Sequence, residues 1–456
     1  MKPVNKPSKL SRRQFIKGAA ASAAAFTIVP RHVLGGPNNT PPSEKLNIAA
    51  IGAGGRGGGD INACKSENIV ALCDVDFRKA AGTFKAYPDA TKYRDFRKML
   101  EKEEKNIDAV IVATPDHCHA VAAMMAVKMG KHCYCEKPLT HDIAEARALR
   151  LAAREHKVAT QMGNQGHAGE GARLVCEWVW DGAIGDVTEV HSWTNRPVWP
   201  QNIARPQGSS PVPDHLDWDL WLGPAPHRPY VEADGRCPYL PFVWRGWWDF
   251  GTGALGDMAC HVWDAAFWSL KLSEVYPTSV DASKVGGNDE TFPLASIVQF
   301  RFPARGNMPP LTYTWHDGGL MPPRPACLEP GRSWKPGGSG SLFVGSKGSL
   351  ICGEYGESPR IIPEAKMQAY LKTKPKKSLP RSPGHHQEWI DACKGGKPAG
   401  SNWDYAGPLT EMVLLGNLAI RTGEQILWDG KNMKVTNNVK GAQEMVQRQY
   451  RNGWSL

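Results

Sequence analysis

The feature that most constrains the fold is a glycine-rich turn between an apolar run and a helical stretch. Residues 46–51 are almost continuously apolar, and they are followed at once by Gly52-Ala53-Gly54-Gly55-Arg56-Gly57. A G-x-G-x-x-G turn directly after a strand and before a helix allows the phosphates of a dinucleotide to approach backbone N–H groups. The turn therefore predicts a βαβ unit that binds a dinucleotide.

The chain after this turn continues to alternate between apolar runs and helical patterns. Residues 69–75 and 109–114 are nearly continuous apolar runs, and residues 119–129 form a helical stretch that ends at Gly130. Asp142 and Glu145 resemble a capping box that opens a helix running to about residue 155. This alternation is typical of a parallel sheet with helices on both faces. We predict an α/β protein with an N-terminal Rossmann doubly wound parallel sheet that reaches to about residue 165.

The rest of the sequence has a different composition. All 17 tryptophans lie at or after Trp178, and residues 195–245 are rich in Pro, Trp, Gly and Asp without a clear period. Such a stretch predicts a long loop system with a functional role. Strand-like runs follow at 296–302, 311–315 and 341–344, and a late helix is predicted at about 408–421 before Gly423. We predict a C-terminal α+β domain with a large, open, mainly antiparallel sheet.

The net charge of +10 raises nucleic acid or an anionic membrane as partners, but the excess is concentrated at the N-terminus. Residues 1–36 carry seven basic side chains and no acidic one, so the remainder has 48 basic against 45 acidic residues. Residues 18–29 are mostly small or apolar, and this run is too short to favour a spanning helix. We therefore expect a targeting segment, no nucleic-acid partner and no stable membrane insertion of the mature protein.

The segment Ser11-Arg12-Arg13-Gln14-Phe15-Ile16-Lys17 resembles a twin-arginine export signal. The alternative is a basic amphipathic helix. The resemblance implies export of the folded protein to the periplasm with its cofactor bound, and the twin-arginine machinery as a partner. The predicted organisation is a signal peptide at 1–36, a linker at 37–44, an NAD(P)-binding Rossmann domain at 45–165 and a substrate-binding and oligomerisation domain at 166–456.

Cysteine and histidine clusters do not point to a metal or to a disulfide framework. The chain has 11 cysteines, an odd number scattered without regular spacing. The segments His117-Cys118-His119 and His132-Cys133-Tyr134-Cys135 do not match the spacings of zinc ligands. We predict no metal site.

An acidic residue after the second strand supports the dinucleotide prediction. Asp74 stands where a carboxylate that accepts from ribose hydroxyls is expected. The same carboxylate would repel a 2′-phosphate, which favours NAD, while Arg78 nearby leaves NADP open. The alternative is a glycine-rich loop with a solvated aspartate.

Three further motifs carry the reaction chemistry. Thr114-Pro115-Asp116-His117-Cys118-His119 and Glu136-Lys137-Pro138 each follow a predicted parallel strand, where open α/β sheets bind ligands. Asp257-Met258-Ala259-Cys260-His261 places an acid and a histidine on one helical face through their i, i+4 spacing. The alternatives are an ordinary helical pair for Asp257 and His261 and a surface position for Lys137.

The order and approximate spacing of these motifs resemble the glucose–fructose oxidoreductase / inositol dehydrogenase / MocA (Gfo/Idh/MocA) family over roughly residues 46–430. The resemblance implies that Lys137 lies between nicotinamide and a substrate hydroxyl, that His261 is the general base and that Asp257 is its acidic partner. These residue types suit the oxidation of a secondary alcohol, because histidine has a near-neutral pKa and an ammonium stabilises charge on oxygen. The resemblance also implies a homo-oligomer.

We expect the cofactor to contact residues from four motifs: Gly52, Gly54, Gly55, Arg56, Gly57, Asp74, Thr114, Pro115, His119, Glu136, Lys137 and Gln165. For His119, capping of the strand end is an equal alternative. The expected substrate contacts are polar residues near the motifs or in the tryptophan-rich part: Asn164, His167, Arg196, Arg245, Asp249 and His316. Aromatic faces in that part suit stacking on sugar rings, although most tryptophans are expected to fill a core.

The leading functional hypothesis is an exported NAD(P)-dependent oxidoreductase that acts on a secondary hydroxyl of a sugar, glycoside or polyol. Because the periplasm offers no free NAD pool, we expect a tightly bound, recycled cofactor. The first alternative is a redox-neutral enzyme that cleaves glycosides by oxidation and elimination. The second, from another class, is a nucleotide-bound sugar-binding protein without turnover.

Overall fold

A six-stranded parallel sheet forms the N-terminal part of the fold. Its strand order is β3-β2-β1-β4-β5-β6, the order of a doubly wound dinucleotide-binding sheet, and every neighbouring pair is parallel. The six strands are β1 (Asn47–Ile51), β2 (Asn68–Cys73), β3 (Thr91–Tyr93), β4 (Ala109–Val112), β5 (His132–Cys135) and β6 (Thr160–Met162). The structure, a computed structural model, describes residues 44–334 and 337–456, so the predicted export signal and residues 37–43 of the predicted linker lie outside it.

One helix follows each of the first five strands. They are α1 (Arg56–Ala63), α2 (Phe77–Ala86), α3 (Phe96–Glu103), α4 (Asp116–Lys128) and α5 (Ile143–His156). The predicted capping box opens α5, where Glu145 Oε2 accepts from the Asp142 N–H at 3.1 Å. All four residues of β4 are buried, which explains the uninterrupted apolar run that predicted this strand.

A nine-stranded mixed sheet forms the second part. Its order is β13-β12-β11-β7-β10-β9-β8-β14-β15; β7 and β10 are parallel and the other neighbouring pairs are antiparallel. The strands are β7 (Val187–Thr194), β8 (Ser279–Val285), β9 (Ala295–Phe302), β10 (Leu311–His316), β11 (Ser339–Gly345), β12 (Gly348–Gly353), β13 (Arg360–Ile362), β14 (Ile426–Asp429) and β15 (Lys434–Val435). The two sheets confirm the predicted fold class.

Seven more helices connect or cover the second sheet. They are α6 (Glu170–Trp180), α7 (Trp218–Leu222), α8 (Gly253–Val262), α9 (Asp264–Ser269), α10 (Glu364–Lys372), α11 (His385–Cys393) and α12 (Trp403–Thr422). The late helix α12 begins earlier than predicted, because Asn402 caps it by accepting from the Asp404 N–H at 2.9 Å and Pro408 lies inside it. No helix of the described residues is both long and apolar enough to cross a membrane.

A buried ion pair joins the two parts within the compact unit that spans residues 46–456. Arg147 on α5 donates to Glu411 on α12, with Nη2 and Oε2 2.6 Å apart and both side chains largely buried. The helix α12 also packs near β8 and β9, so it belongs to a continuous core that extends from the parallel sheet to the mixed sheet. This contact fixes α5 of the parallel-sheet part against α12, which also packs against α8.

The tryptophan-rich part forms an aromatic cluster rather than a sheet. We call residues 195–252, between β7 and α8, the aromatic segment. The rings of Trp218 and Trp221 are stacked with centroids 4.8 Å apart, and Tyr239, Trp247 and Phe250 pack around them. As expected, most of these rings fill a core of their own.

Candidate active site at the edge of the parallel sheet

The turn between β1 and α1 is built so that only glycine fits at two positions. A Cβ atom on Gly57 would lie 1.8 Å from the carbonyl oxygen of Gly52, and Gly52 itself has φ +86°. Backbone therefore approaches backbone where a side chain would stand, and the first N–H groups of α1 stay open to a ligand. The turn forms a cradle of the kind that holds a pyrophosphate.

Asp74 lies beside this cradle, immediately after β2. Its Oδ2 accepts from the Gly54 N–H at 2.9 Å and its Oδ1 from the Asp76 N–H at 2.9 Å. Burial raises the pKa of Asp74 to about 6, and the two backbone donors act in the opposite direction. Each oxygen keeps a lone pair, so the carboxylate can still accept from a ribose hydroxyl.

Glu136 links three of the predicted cofactor-binding positions. Its Oε1 accepts from Arg56 Nε at 3.1 Å and from Gln165 Nε2 at 2.8 Å, and Gln165 also donates to the Tyr134 hydroxyl at 2.8 Å. Arg56 further donates to Asp60 at 2.7 Å. The structure therefore brings Arg56, Glu136 and Gln165 together at the carboxyl end of the sheet.

Lys137 and Asp257 form the centre of the site. Lys137 Nζ donates to Asp257 Oδ1 at 2.8 Å and to the Asp257 carbonyl oxygen at 2.7 Å. Arg245, from the aromatic segment, donates through Nε to the same Oδ1 at 2.8 Å. Burial alone would raise the pKa of Asp257, but the two cations outweigh it and hold that pKa well below its usual range.

His261 lies one helical turn after Asp257 on α8, as the i, i+4 spacing predicts. Its ring makes an edge-on contact with Tyr355, with ring centroids 5.0 Å apart, and its buried Nδ1 has no hydrogen-bond partner among the described residues. Burial, and then the Lys137 ammonium, lower the pKa of His261 well below its ordinary value, while Asp257 acts in the opposite direction. The imidazole is therefore neutral.

These groups surround one cleft of about 520 Å³. Its wall includes the glycine turn, Asp74, Thr114, Pro115, Glu136, Lys137, Gln165, Arg245 and His261. The residues present fit a dinucleotide: the glycine cradle offers N–H donors, Asp74 offers an acceptor, and Lys137 and His261 line the far end of the same cleft.

Several predicted site residues lie elsewhere. His119 is buried, and its ring nitrogens are each 2.8 Å from the carbonyl oxygens of Pro138 and Thr114, so it ties two motifs together without lining the cleft. Asn164 and His167 are buried against Asp264, at 3.0 Å each.

Three of the four predicted contacts from the second part also lie apart from the cleft wall. Asp249 pairs with Arg228 at 2.6 Å, and His316 stands beside His191 in the mixed sheet. Arg196 follows β7 and lies outside the wall as well. Of the six predicted substrate contacts, the structure places only Arg245 in the cleft.

The cleft also contains residues that the sequence did not single out. Tyr355 comes from the connection after β12, Asp116 begins α4, and Lys79 and Arg94 lie near Asp74. Asp116 belongs to the Thr114–His119 motif, and Lys79 lies on α2, which follows β2. Tyr355 reaches the cleft only through long-range folding. Nowhere in residues 44–334 or 337–456 do three or more His, Cys, Asp or Glu side chains gather as metal ligands would.

Fold and site together define an oxidoreductase with an NAD-binding Rossmann domain. Family models match in three places: an NAD-binding Rossmann-fold oxidoreductase model at 46–164, a C-terminal α/β oxidoreductase model at 180–302 and a twin-arginine signal model at 9–28. The chain belongs to the Gfo/Idh/MocA oxidoreductase family and carries a twin-arginine signal.

Curated relatives match over part of the chain. A glycosyl hydrolase family 109 protein of Shewanella pealeana is 28% identical over 39% of this chain and 44% of its own length. A levoglucosan dehydrogenase of Pseudarthrobacter phenanthrenivorans is 28% identical over 38% of this chain and 35% of its own length. An inositol 2-dehydrogenase of Salmonella typhimurium is 26% identical over 28% of this chain and 39% of its own length. The chain thus spans less than half the length of each of these relatives.

Solved structures share the fold. The WlbA dehydrogenase from Bordetella pertussis, in complex with NADH and UDP-GlcNAcA, has a TM-score of 0.57 at 17% identity, covering 84% of this chain and 99% of its own. An inositol dehydrogenase homologue from Azotobacter vinelandii, complexed with NADH and myo-inositol, has a TM-score of 0.52 at 16% identity. The match covers 84% of this chain and 98% of the homologue.

Proposed function

We propose that this protein is an exported NAD-dependent dehydrogenase that oxidises a secondary hydroxyl of a sugar, glycoside or polyol. The observation that carries the proposal is that Lys137 and His261 line the same cleft as the glycine cradle, with Asp257 holding Lys137 from behind the cleft wall. The dehydrogenases of levoglucosan and inositol among the relatives support this class of substrate.

Lys137 is the donor to the reacting oxygen. An ammonium has three donors, and two of them are directed at Asp257, which leaves one for a substrate hydroxyl in the cleft. A positive charge there stabilises the negative charge that develops on the oxygen as the alcohol is oxidised. Asp257 holds the ammonium in place.

His261 is the acceptor for the hydroxyl proton. Its ring is neutral because burial and Lys137 disfavour the charged form, and the Asp257 carboxylate stabilises the ring once it is protonated. NAD, when bound, supplies the acceptor for the hydride that leaves the carbinol carbon. In this account the pyrophosphate is held by the glycines of the turn, Gly52, Gly54, Gly55 and Gly57. The ribose is held by Asp74.

Contacts between the aromatic segment and the cradle side of the cleft support a tightly held cofactor. Phe77 N–H donates to the His215 carbonyl at 3.0 Å, and Asp217 N–H donates to the Val75 carbonyl at 2.9 Å. Arg94 donates to the carbonyls of His215 and Asp214 at 3.1 and 3.2 Å. These bonds fasten the aromatic segment, which lines the cleft through Trp221 and Trp244, to the residues just after Asp74.

The retained cofactor is tested by denaturing protein purified from an exporting host and identifying the released nucleotide by mass spectrometry. The account predicts about one NAD per chain. The proposal of a retained, recycled cofactor would be wrong if folded protein binds added NADH but releases no nucleotide on denaturation.

Export to the periplasm is tested in the same host by fractionation. The variants Arg12→Lys and Arg13→Lys are expected to keep the protein in the cytoplasm.

A second candidate is redox-neutral cleavage of a glycoside, in which oxidation acidifies a neighbouring C–H and elimination releases the aglycone. The family 109 glycosyl hydrolase among the relatives favours it, and a retained cofactor suits it because no net oxidation occurs. Nitrophenyl glycosides separate the two functions. Nitrophenol without accumulated NADH supports cleavage, whereas an oxidised sugar with stoichiometric NADH supports the dehydrogenase.

We also propose that the protein assembles as a homo-oligomer. Light scattering, which measures the mass of the particle in solution, tests this.

A further inference from the structure

Arg245 shares a single oxygen of Asp257 with Lys137. Arg245 Nε and Lys137 Nζ each lie 2.8 Å from Asp257 Oδ1. The side chains of Lys137, Asp257 and Arg245 are only 12%, 10% and 19% exposed, so water screens this trio weakly. Two cations on one carboxylate leave the trio with a net charge of +1.

The chain packs Arg245 into this position closely. A Cβ atom on Gly251 would lie 2.5 Å from Arg245 Cα, and one on Gly246 would lie 2.3 Å from the Pro200 carbonyl oxygen. The guanidinium lies over the rings of Trp244 and Phe242, 4.2 and 4.5 Å from their centroids. Arg245 Nη1 also donates to the Phe242 carbonyl at 3.2 Å.

We propose that Arg245 is a positioning residue for Lys137. Arg245 acts on Lys137 through Asp257 and does not itself contact substrate. This inference rests on the proposed role of Lys137 as the donor to the reacting oxygen. By taking part of the Asp257 charge, Arg245 keeps Lys137 from being fully neutralised and makes its free N–H a stronger donor. By fixing Oδ1, it also fixes where Lys137 Nζ lies.

The charges around Lys137 set the direction in which its reactivity should change when Arg245 is replaced. Asp257, His261 and Cys260 face it from α8, Asp116 faces it from the start of α4, and Arg245 approaches from the aromatic segment. Removing the Arg245 cation removes a like charge near Lys137. The Asp257 carboxylate is then left to Lys137 alone and holds its ammonium more tightly.

A labelling experiment tests this without any substrate. In Arg245→Met, the rate of acetic anhydride labelling at Lys137 at one fixed pH, followed by mass spectrometry, should fall by roughly tenfold. Arg245→Lys should restore most of the difference. Arg205→Ala, which breaks the more exposed pair between Arg205 in the same segment and Glu290 outside it, is the control that should leave the rate unchanged. An unchanged labelling rate in Arg245→Met, in protein that binds NADH and melts like wild type, would overturn the proposal.

Steady-state kinetics on the best sugar found for the wild type add a second readout. Arg245→Met should lower kcat by roughly 10- to 100-fold, with KM changed by less than about threefold, because a misplaced donor costs rate rather than binding. A raised KM with normal kcat would instead make Arg245 a substrate contact and refute the positioning role. If the wild type oxidises no sugar, the proposed function fails while the labelling result still decides the role of Arg245.

Discussion

Replacing Gly57 with alanine should damage the dinucleotide cradle more than any other single methyl group in the β1–α1 turn. The new Cβ would lie 1.8 Å from the Gly52 carbonyl oxygen, about 1.6 Å short of the 3.4 Å at which ordinary contact begins. The oxygen belongs to the backbone, and the position of the Cβ atom is set by the backbone of residue 57, so no side-chain rotation relieves the overlap. Forced overpacking costs roughly 1–3 kcal/mol, and 2 kcal/mol of lost binding is about a 30-fold change in Kd.

Calorimetric titration with NADH measures this change, and Gly59→Ala is the matched control. Gly59 lies on the same helix, and a Cβ atom there would meet no heavy atom within 4 Å. Alanine at that position favours the helix by up to about 1 kcal/mol. We expect Gly57→Ala to weaken NADH binding by about 30-fold or more, and Gly59→Ala to leave the affinity for NADH unchanged. Binding within about threefold of wild type in Gly57→Ala would refute the cradle.

Three further predictions follow from buried groups. NADH affinity should fall as pH drops through about 6, because the raised pKa of Asp74 lets it lose its charge there, and Asp74→Asn should flatten that dependence in a fluorescence titration. Glu411→Gln should lower the free energy of unfolding by about 3 kcal/mol in urea, since it leaves Arg147 buried without its counter-ion, whereas Asp404→Asn, which weakens an exposed pair between the same two helices, should cost at most about 1 kcal/mol. Arg94→Ala should speed NADH release by roughly tenfold in stopped flow, because it loses two hydrogen bonds to residues 214 and 215; an unchanged rate would count against the aromatic segment as a restraint on the cofactor.

Local sequence patterns predicted the longer strands of the parallel sheet and the glycine turn, but not the three-residue strands β3 and β6. β4 is apolar because both faces are covered, Asp142 and Glu145 form the predicted capping box, and the three motifs end at the cleft. The division of the chain at about residue 165 stays a prediction, as do the roles of the individual site residues.

The second part was less predictable because its signals are long-range. β7 and β12 were not predicted, since β7 mixes buried residues with the polar Glu189 and His191. Asn164 and His167 follow the parallel sheet closely in sequence, yet Asp264, far along the chain, draws both into a buried network. Nothing in the local sequence reveals that Tyr355 reaches His261, or that Arg245 reaches Asp257.

The most direct test of the central claim is the near-ultraviolet absorbance of reduced nicotinamide after NAD-loaded protein is mixed with glucose, myo-inositol, levoglucosan and nitrophenyl glycosides. The account predicts a rise with at least one of them in the wild type, and a rate lower by roughly 100-fold or more in His261→Ala, because the proton acceptor is gone. Wild-type protein that stays oxidised with every sugar, or a His261→Ala variant that is reduced as fast as wild type, would contradict it.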